Sequence, residues 1–166
     1  MSKLNLEILA YEEGPLGLLC LRQREVLSQP GTIVTEMTLN HEFLMSSLYT
    51  DSERALSEIA LELHSGSQLE VLVGGLGLGY TAYEALRSDR VTRLEVLELL
   101  PQVIDWLARG LVPLAEELLP TRVHRRRLRA TLALAVDRVA VDRALAVNRA
   151  PDVLPSGIVL GALAAA

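Results

Sequence analysis

The sequence predicts an α/β fold with a Rossmann-like core and a small N-terminal β-hairpin region, and three observations predict it. An apolar run, Val71-Leu72-Val73, stops at glycines spaced by two, Gly75, Gly77 and Gly79, and the helix-forming stretch Tyr80 to Leu86 follows at once. A second strand-like stretch, Arg93 to Leu99, carries an acid, Glu98, nineteen residues beyond Gly79. Pro101 then opens another helix, Gln102 to Arg109, which Gly110 stops. Strand, glycine turn, helix, strand, acid and helix in that order make one βαβ unit of a doubly wound sheet.

Each part of that unit has a chemical reason. Glycine at the turn permits backbone torsions with φ > 0 and lets a ligand approach the main chain closely. Free N–H groups and the positive end of the helix dipole favour a polar or anionic partner. An acid at the end of the second strand lies beside the first turn, where it accepts hydrogen bonds from ribose hydroxyls. A nucleoside-bearing cofactor is therefore expected over the turn.

Two patterns compete for these residues. Gly77-Leu78-Gly79-Tyr80-Thr81-Ala82 fits the G-x-G-x-x-A of NAD-binding turns, and Gly75-Leu76-Gly77-Leu78-Gly79 fits the G-x-G-x-G of class I S-adenosylmethionine enzymes. Register favours the second, because a strand ending at Val73 puts the first turn glycine at Gly74 or Gly75. A glycine-rich βα turn without any ligand is the plain structural alternative.

Residues 40–110 resemble the spermidine synthase-like branch (polyamine aminopropyltransferases and relatives) of the S-adenosylmethionine-dependent transferases. Asn40-His41-Glu42-Phe43-Leu44-Met45 resembles the Asp-Glu-Phe segment that enters that family's first helix, and Arg54 to Leu63 is similar to the helix before its core strand. Val71 to Gly79 resembles the family's Val-Leu-Val-Ile-Gly-Gly-Gly-Asp-Gly, and Leu97-Glu98-Leu99-Leu100 stands where the family has Val-Glu-Ile-Asp. The resemblance implies S-adenosylmethionine or its decarboxylated form as cofactor, held by Gly75, Gly77, Gly79, Glu98 and Leu99, with Glu98 as the ribose ligand. It implies transfer of an aminopropyl or methyl group to a small-molecule nucleophile such as a polyamine. By position it puts His41, Tyr49 and Asp51 near the substrate. For Asp51 the plainer role, shared with Ser52, is to cap the helix that follows, and for His41 an exposed loop pair with Glu42.

The N-terminal forty residues agree with the same family, which carries a small β-domain there that helps it dimerise, so a homodimer is an expectation. Leu6 to Tyr11 and Leu18 to Leu21 flank Gly14-Pro15-Leu16-Gly17 as a hairpin, and Thr32 to Leu39 reads as a third strand. Two departures stand out: Leu78 replaces the aspartate of the family's turn, and Leu100 replaces the second acid after the strand. Both move the chain away from authentic spermidine synthases and leave an adenosyl site. Glu84, one turn into the helix after the glycines, is expected to face solvent.

Three segments follow: a β region over 1–40, the cofactor-binding core over 41–119 and a basic tail over 120–166. At about Leu119 the character of the chain changes. Before it, 18 acids outnumber 8 bases; after it, 8 arginines outnumber 3 acids, no aromatic residue occurs, and no glycine appears until Gly157. The core is thus expected to be incomplete after its second strand–helix unit, through either a truncated or frame-shifted ending or a basic helical tail. Arg129 to Val147 reads as helix, rich in Ala and Leu. The family's later strands end in Gly-Asp and in a second aspartate that serves as base or amine ligand. Val136-Asp137 and Val141-Asp142 are the nearest counterparts, and the catalytic base is not assigned.

Other classes find no support. One cysteine, Cys20, excludes internal disulfides and suits a reducing cytosol, and no charged-then-apolar leader opens the chain, so a cytoplasmic location is expected. The apolar run from Gly157 is too short to span a bilayer. His41, His64 and His124 lack metal-ligand spacing, so no metal is expected. The Arg125-Arg126-Arg127 cluster has no interleaved aromatics and the chain is acidic overall, which argues against nucleic acid. Three readings stand: a spermidine synthase-like transferase, a non-catalytic adenosyl-binding remnant, and an NAD-dependent oxidoreductase using the same turn.

Overall fold

Two four-stranded sheets, one antiparallel and one parallel, meet along a shared apolar core in the computed structural model, which describes residues 6–14, 16–119, 128–132 and 157–161. The first is a meander of β1 (Leu6–Gly14), β2 (Gly17–Glu25), β3 (Ile33–Leu39) and β4 (Glu42–Ser46). Its inner face carries Ala10, Leu19, Leu21 and Met37 into the core. Cys20 is free and buried as a small apolar side chain. Beside it Glu36, only 3% exposed, is held by Arg22 Nη2 at 2.9 Å and Arg24 Nη2 at 2.6 Å. Burial pushes this carboxyl up, and the hydrogen bonds from Arg24 and Arg22 outweigh it, so its pKa lies below the usual carboxylate value.

The fourth strand corrects one expectation. Asn40 to Met45 does not lead into a helix; it turns back and pairs with β3, Leu39 opposite Glu42. Asn40 (φ 51) and His41 (φ 71) are both left-handed, as a two-residue type I′ hairpin turn requires. Asn40 suits the first of these positions, and its Oδ1 accepts the Leu18 N–H at 2.8 Å.

The chain then enters α1 (Asp51–Leu63), β5 (Leu69–Gly74), α2 (Tyr80–Leu86), β6 (Val91–Glu98), α3 (Pro101–Ala108) and α4 (Ala115–Leu118). The expected capping by Asp51 or Ser52 is not what forms. Thr50 occupies the N-cap without a side-chain cap bond, Asp51 is already helical, and Ser52 Oγ donates to Glu53 at 2.6 Å. Pro101 opens α3 at the position where its missing N–H costs nothing, and Gly110 (φ 75) follows its end.

β5 and β6 pair in parallel through the α2 crossover. The sheet does not stop there. β7 (Leu128–Leu132) pairs parallel with β6 and β8 (Gly157–Gly161) parallel with β5, giving the order β7-β6-β5-β8. Residues 129–132, expected as helix, are therefore strand. Main-chain pairing with the open side of β6 outweighs a helix propensity that is only a weak prior. The Val136-Asp137 and Val141-Asp142 pairs, His124, and Arg122 with Arg125 to Arg127 lie outside the described residues.

Trp106, Leu69, Val73, Leu94, Val96 and Leu118 are fully or almost fully buried between sheet and helices. Where β1 crosses α3, Trp106 Nε1 donates to Glu12 at 3.0 Å and Gln102 Nε2 to the Glu13 carbonyl at 2.8 Å. Among the described residues no helix is long and apolar enough to cross a membrane, and no group of His, Cys, Asp and Glu is placed to hold a metal ion.

Candidate functional site

The carboxyl ends of β5 and β6 lie side by side, where open α/β sheets hold their ligands. As β5 ends, Gly75 donates its N–H to the Leu97 carbonyl of β6 at 2.7 Å, so the turn begins tied to the neighbouring strand. Gly75 (φ 90), Gly77 (φ 53) and Gly79 (φ 93) are all left-handed, a torsion sequence that side chains with a Cβ resist at every second residue. The leucines between them point inward and are buried, Leu76 at 6% and Leu78 at 2% exposure. Leu78 thus adds apolar packing at the position where the family resembled has a carboxylate.

Glu98 closes β6 and is only 6% exposed. Its Oε2 accepts the Leu76 N–H of the turn at 2.7 Å, and its Oε1 accepts the Leu100 N–H at 2.9 Å. The acid and the glycine turn, 22 residues apart, are therefore one unit. An ionised carboxylate offers about four acceptor positions, of which these backbone bonds use two. Leu99, next in the chain, is 39% exposed beside it and presents an apolar surface.

Two of the three glycines make room for side chains of the protein itself. A Cβ on Gly79 would sit 2.6 Å from Leu118 Cδ1, so its bareness admits the α4 leucine rather than a ligand. A Cβ on Gly77 would meet Met45 Cε at 2.7 Å and Sδ at 2.8 Å. The side chain over Gly77 thus comes from β4, in the other sheet.

Two residues beyond Met45, Ser47 follows the end of β4. Its Oγ accepts the Thr35 N–H at 2.9 Å, and its side chain acts to lower the pKa of the Tyr80 hydroxyl at the start of α2. Burial raises the Tyr80 pKa, against the opposing influence of Arg54. The Arg54 guanidinium lies 5.0 Å from the Tyr80 ring centroid and 5.5 Å from that of Tyr83. It also donates to Glu84 Oε2 at 2.8 Å. Glu84 does not face solvent as expected: it is 7% exposed, because Arg54 and Arg87 supply the partners that make burying a carboxylate tolerable.

The structure brings Gly75, Gly77, Glu98 and Leu99 together at one place. His41 stands exposed in the β3–β4 turn, and Tyr49, at 75% exposure, and Asp51 are exposed at the approach to α1. No sequence motif gives Met45, Ser47 or Arg54 a role at the site, although Met45 and Arg54 lie in stretches that carry the resemblance. The one available signal was the Tyr80, Tyr83, Glu84 spacing, which puts three polar-tipped side chains on one helix face.

No protein-family model and no curated protein matches the sequence. Solved structures do match the fold. A spermidine synthase in complex with the transition-state analogue AdoDATO superposes with a TM-score of 0.60 at 18% identity, covering 79% of this chain and 41% of that one. Spermidine synthase from Thermotoga maritima superposes with a TM-score of 0.59 at 17% identity, covering 76% of this chain and 41% of that one. The chain thus spans about two-fifths of the length of these two proteins, and over that span its fold is spermidine synthase-like.

Proposed function

We propose that the chain binds an adenosyl sulfonium nucleoside, S-adenosylmethionine or its decarboxylated form, over the glycine turn and acts as an aminopropyl- or methyltransferase. The observation that carries this reading is the Glu98 carboxylate, fixed to the Leu76 N–H beside Gly75 and Gly77, where an acid accepts hydrogen bonds from ribose hydroxyls. Leu99 offers an apolar surface to the base. The bound sulfonium supplies an electrophilic carbon for transfer to a nucleophile such as a polyamine amine. The residues named here bind and orient it: Glu98 sets the ribose and the turn sets the approach of the main chain. An amine acceptor has to lose a proton before attack, a task for a carboxylate or other base near the mouth.

Calorimetric titration of the full chain with S-adenosylmethionine, decarboxylated S-adenosylmethionine, methylthioadenosine and NAD tests the reading. Binding of the sulfur nucleosides without NAD supports it; binding of NAD alone points to the oxidoreductase reading instead. Product from decarboxylated S-adenosylmethionine and putrescine separates a transferase from a binding module that retains only the adenosyl site.

A further inference from the structure

We infer that Met45 determines how large a 5′ substituent the nucleoside site accepts. The inference rests on the adenosyl site proposed above and concerns a residue outside its ribose contacts. A ribose seated on Glu98 has two sides. In the pose proposed above the base faces exposed Leu99, which follows β6, and the 5′ arm runs the other way, toward the end of β5 and the turn. The turn residue that meets Glu98 is Leu76, so the next residue along that path is Gly77. The space above Gly77 is taken by the Met45 thioether, its Cε and Sδ standing 2.7 and 2.8 Å from where a Cβ would be.

Met45 is anchored at its backbone and free at its tip. It lies on β4 opposite Met37, which is 2% exposed and fixes the strand against the core. Its own side chain is only half-buried and ends in an unbranched thioether that changes rotamer readily. A short arm such as a methylthio group fits beside that tip, whereas the longer aminobutyrate arm of S-adenosylmethionine has to displace it. The residue acts as a size filter on the arm and leaves base and ribose recognition alone.

Calorimetry on the full chain with adenosine, methylthioadenosine and S-adenosylmethionine reads this directly. Met45→Ala is expected to tighten S-adenosylmethionine by about tenfold, the lower end of the scale for one methylene in a hydrophobic pocket. Adenosine should change by less than about twofold, the range of a substitution that touches nothing. Met45→Phe should act in the opposite direction, weakening S-adenosylmethionine and sparing adenosine, which keeps the test available if the alanine variant does not fold. Equal changes for all three ligands, or no change in either variant, overturn the filter while the adenosyl site stands. A wild-type chain that binds none of the three removes the adenosyl site and the filter with it.

Discussion

Arg54 on α1 reaches Glu84 on α2 at 2.8 Å across 30 residues of sequence, and this contact decides that a helix-surface acid becomes an interior one. Arg87 completes the neutralisation from the next turn at 2.7 Å. Arg54→Met removes the charge and leaves Glu84 with Arg87 alone. The expected cost is about 1–3 kcal/mol, the penalty for partly stranding a buried charged acceptor. At about 2–4 °C per kcal/mol for a chain of this size, thermal melting detects it. An unchanged midpoint in Arg54→Met contradicts the assignment.

Glu98 is expected to matter twice. Glu98→Ala deletes acceptors for the Leu76 and Leu100 N–H groups and loosens the glycine turn. Charge-assisted hydrogen bonds of this kind contribute about 1.5–3 kcal/mol. Methylthioadenosine affinity should fall by at least about tenfold, the equivalent of 1.4 kcal/mol. Glu98→Gln keeps one acceptor and should retain part of the affinity. Titration of both variants beside the wild type checks the order; equal affinities in all three remove the ribose assignment.

Two glycines with similar torsions make a matched comparison. Gly79 (φ 93) has Leu118 Cδ1 2.6 Å from its would-be Cβ, whereas Gly31 (φ 86) has nothing within 4 Å. Gly31→Ala therefore incurs left-handed strain alone, about 1–2 kcal/mol. Gly79→Ala adds overpacking of about 1–3 kcal/mol on top. Urea unfolding should place Gly79→Ala clearly below Gly31→Ala, and reversal of that order disproves the contact with α4.

Acid should weaken the first sheet through Glu36. Its folded pKa is depressed, because the hydrogen bonds from Arg24 and Arg22 outweigh the opposing effect of burial. Its contribution is accordingly present above the unfolded pKa and lost as pH falls through the lower folded value. Glu36→Gln removes that titration. Comparing melting midpoints from neutral pH down into the acid range, the variant should lose less than the wild type. Parallel curves would mean that Glu36 is not linked to folding.

What could be read in the sequence was local. Gly75 to Gly79, Glu98 and the helix that Pro101 opens and Gly110 follows each carry their signal within a few residues, and the structure has all of them. The same holds for the first hairpin and third strand. What could not be read was set by partners far along the chain. The burial of Glu84 depends on Arg54, and nothing in Tyr80 to Leu86 announces it. The return of the chain at Asn40-His41 rests on two left-handed residues of which neither is glycine. Strand β7 gains its hydrogen bonds from β6, roughly thirty residues earlier, so an Ala- and Leu-rich stretch gives no local sign of it. Met45 lies over Gly77 only because the two sheets face each other.

Trp106 is the only tryptophan of the chain, and its indole is wholly buried with its Nε1–H on Glu12 of the opposite sheet. The protein consequently carries its own fluorescent reporter at the joint between its two sheets. Separation of the hairpin from α3 would wet the Nε1 side of this ring and shift its emission to the red. Intrinsic fluorescence therefore follows the docking of the two halves, while circular dichroism follows the strands and helices within them.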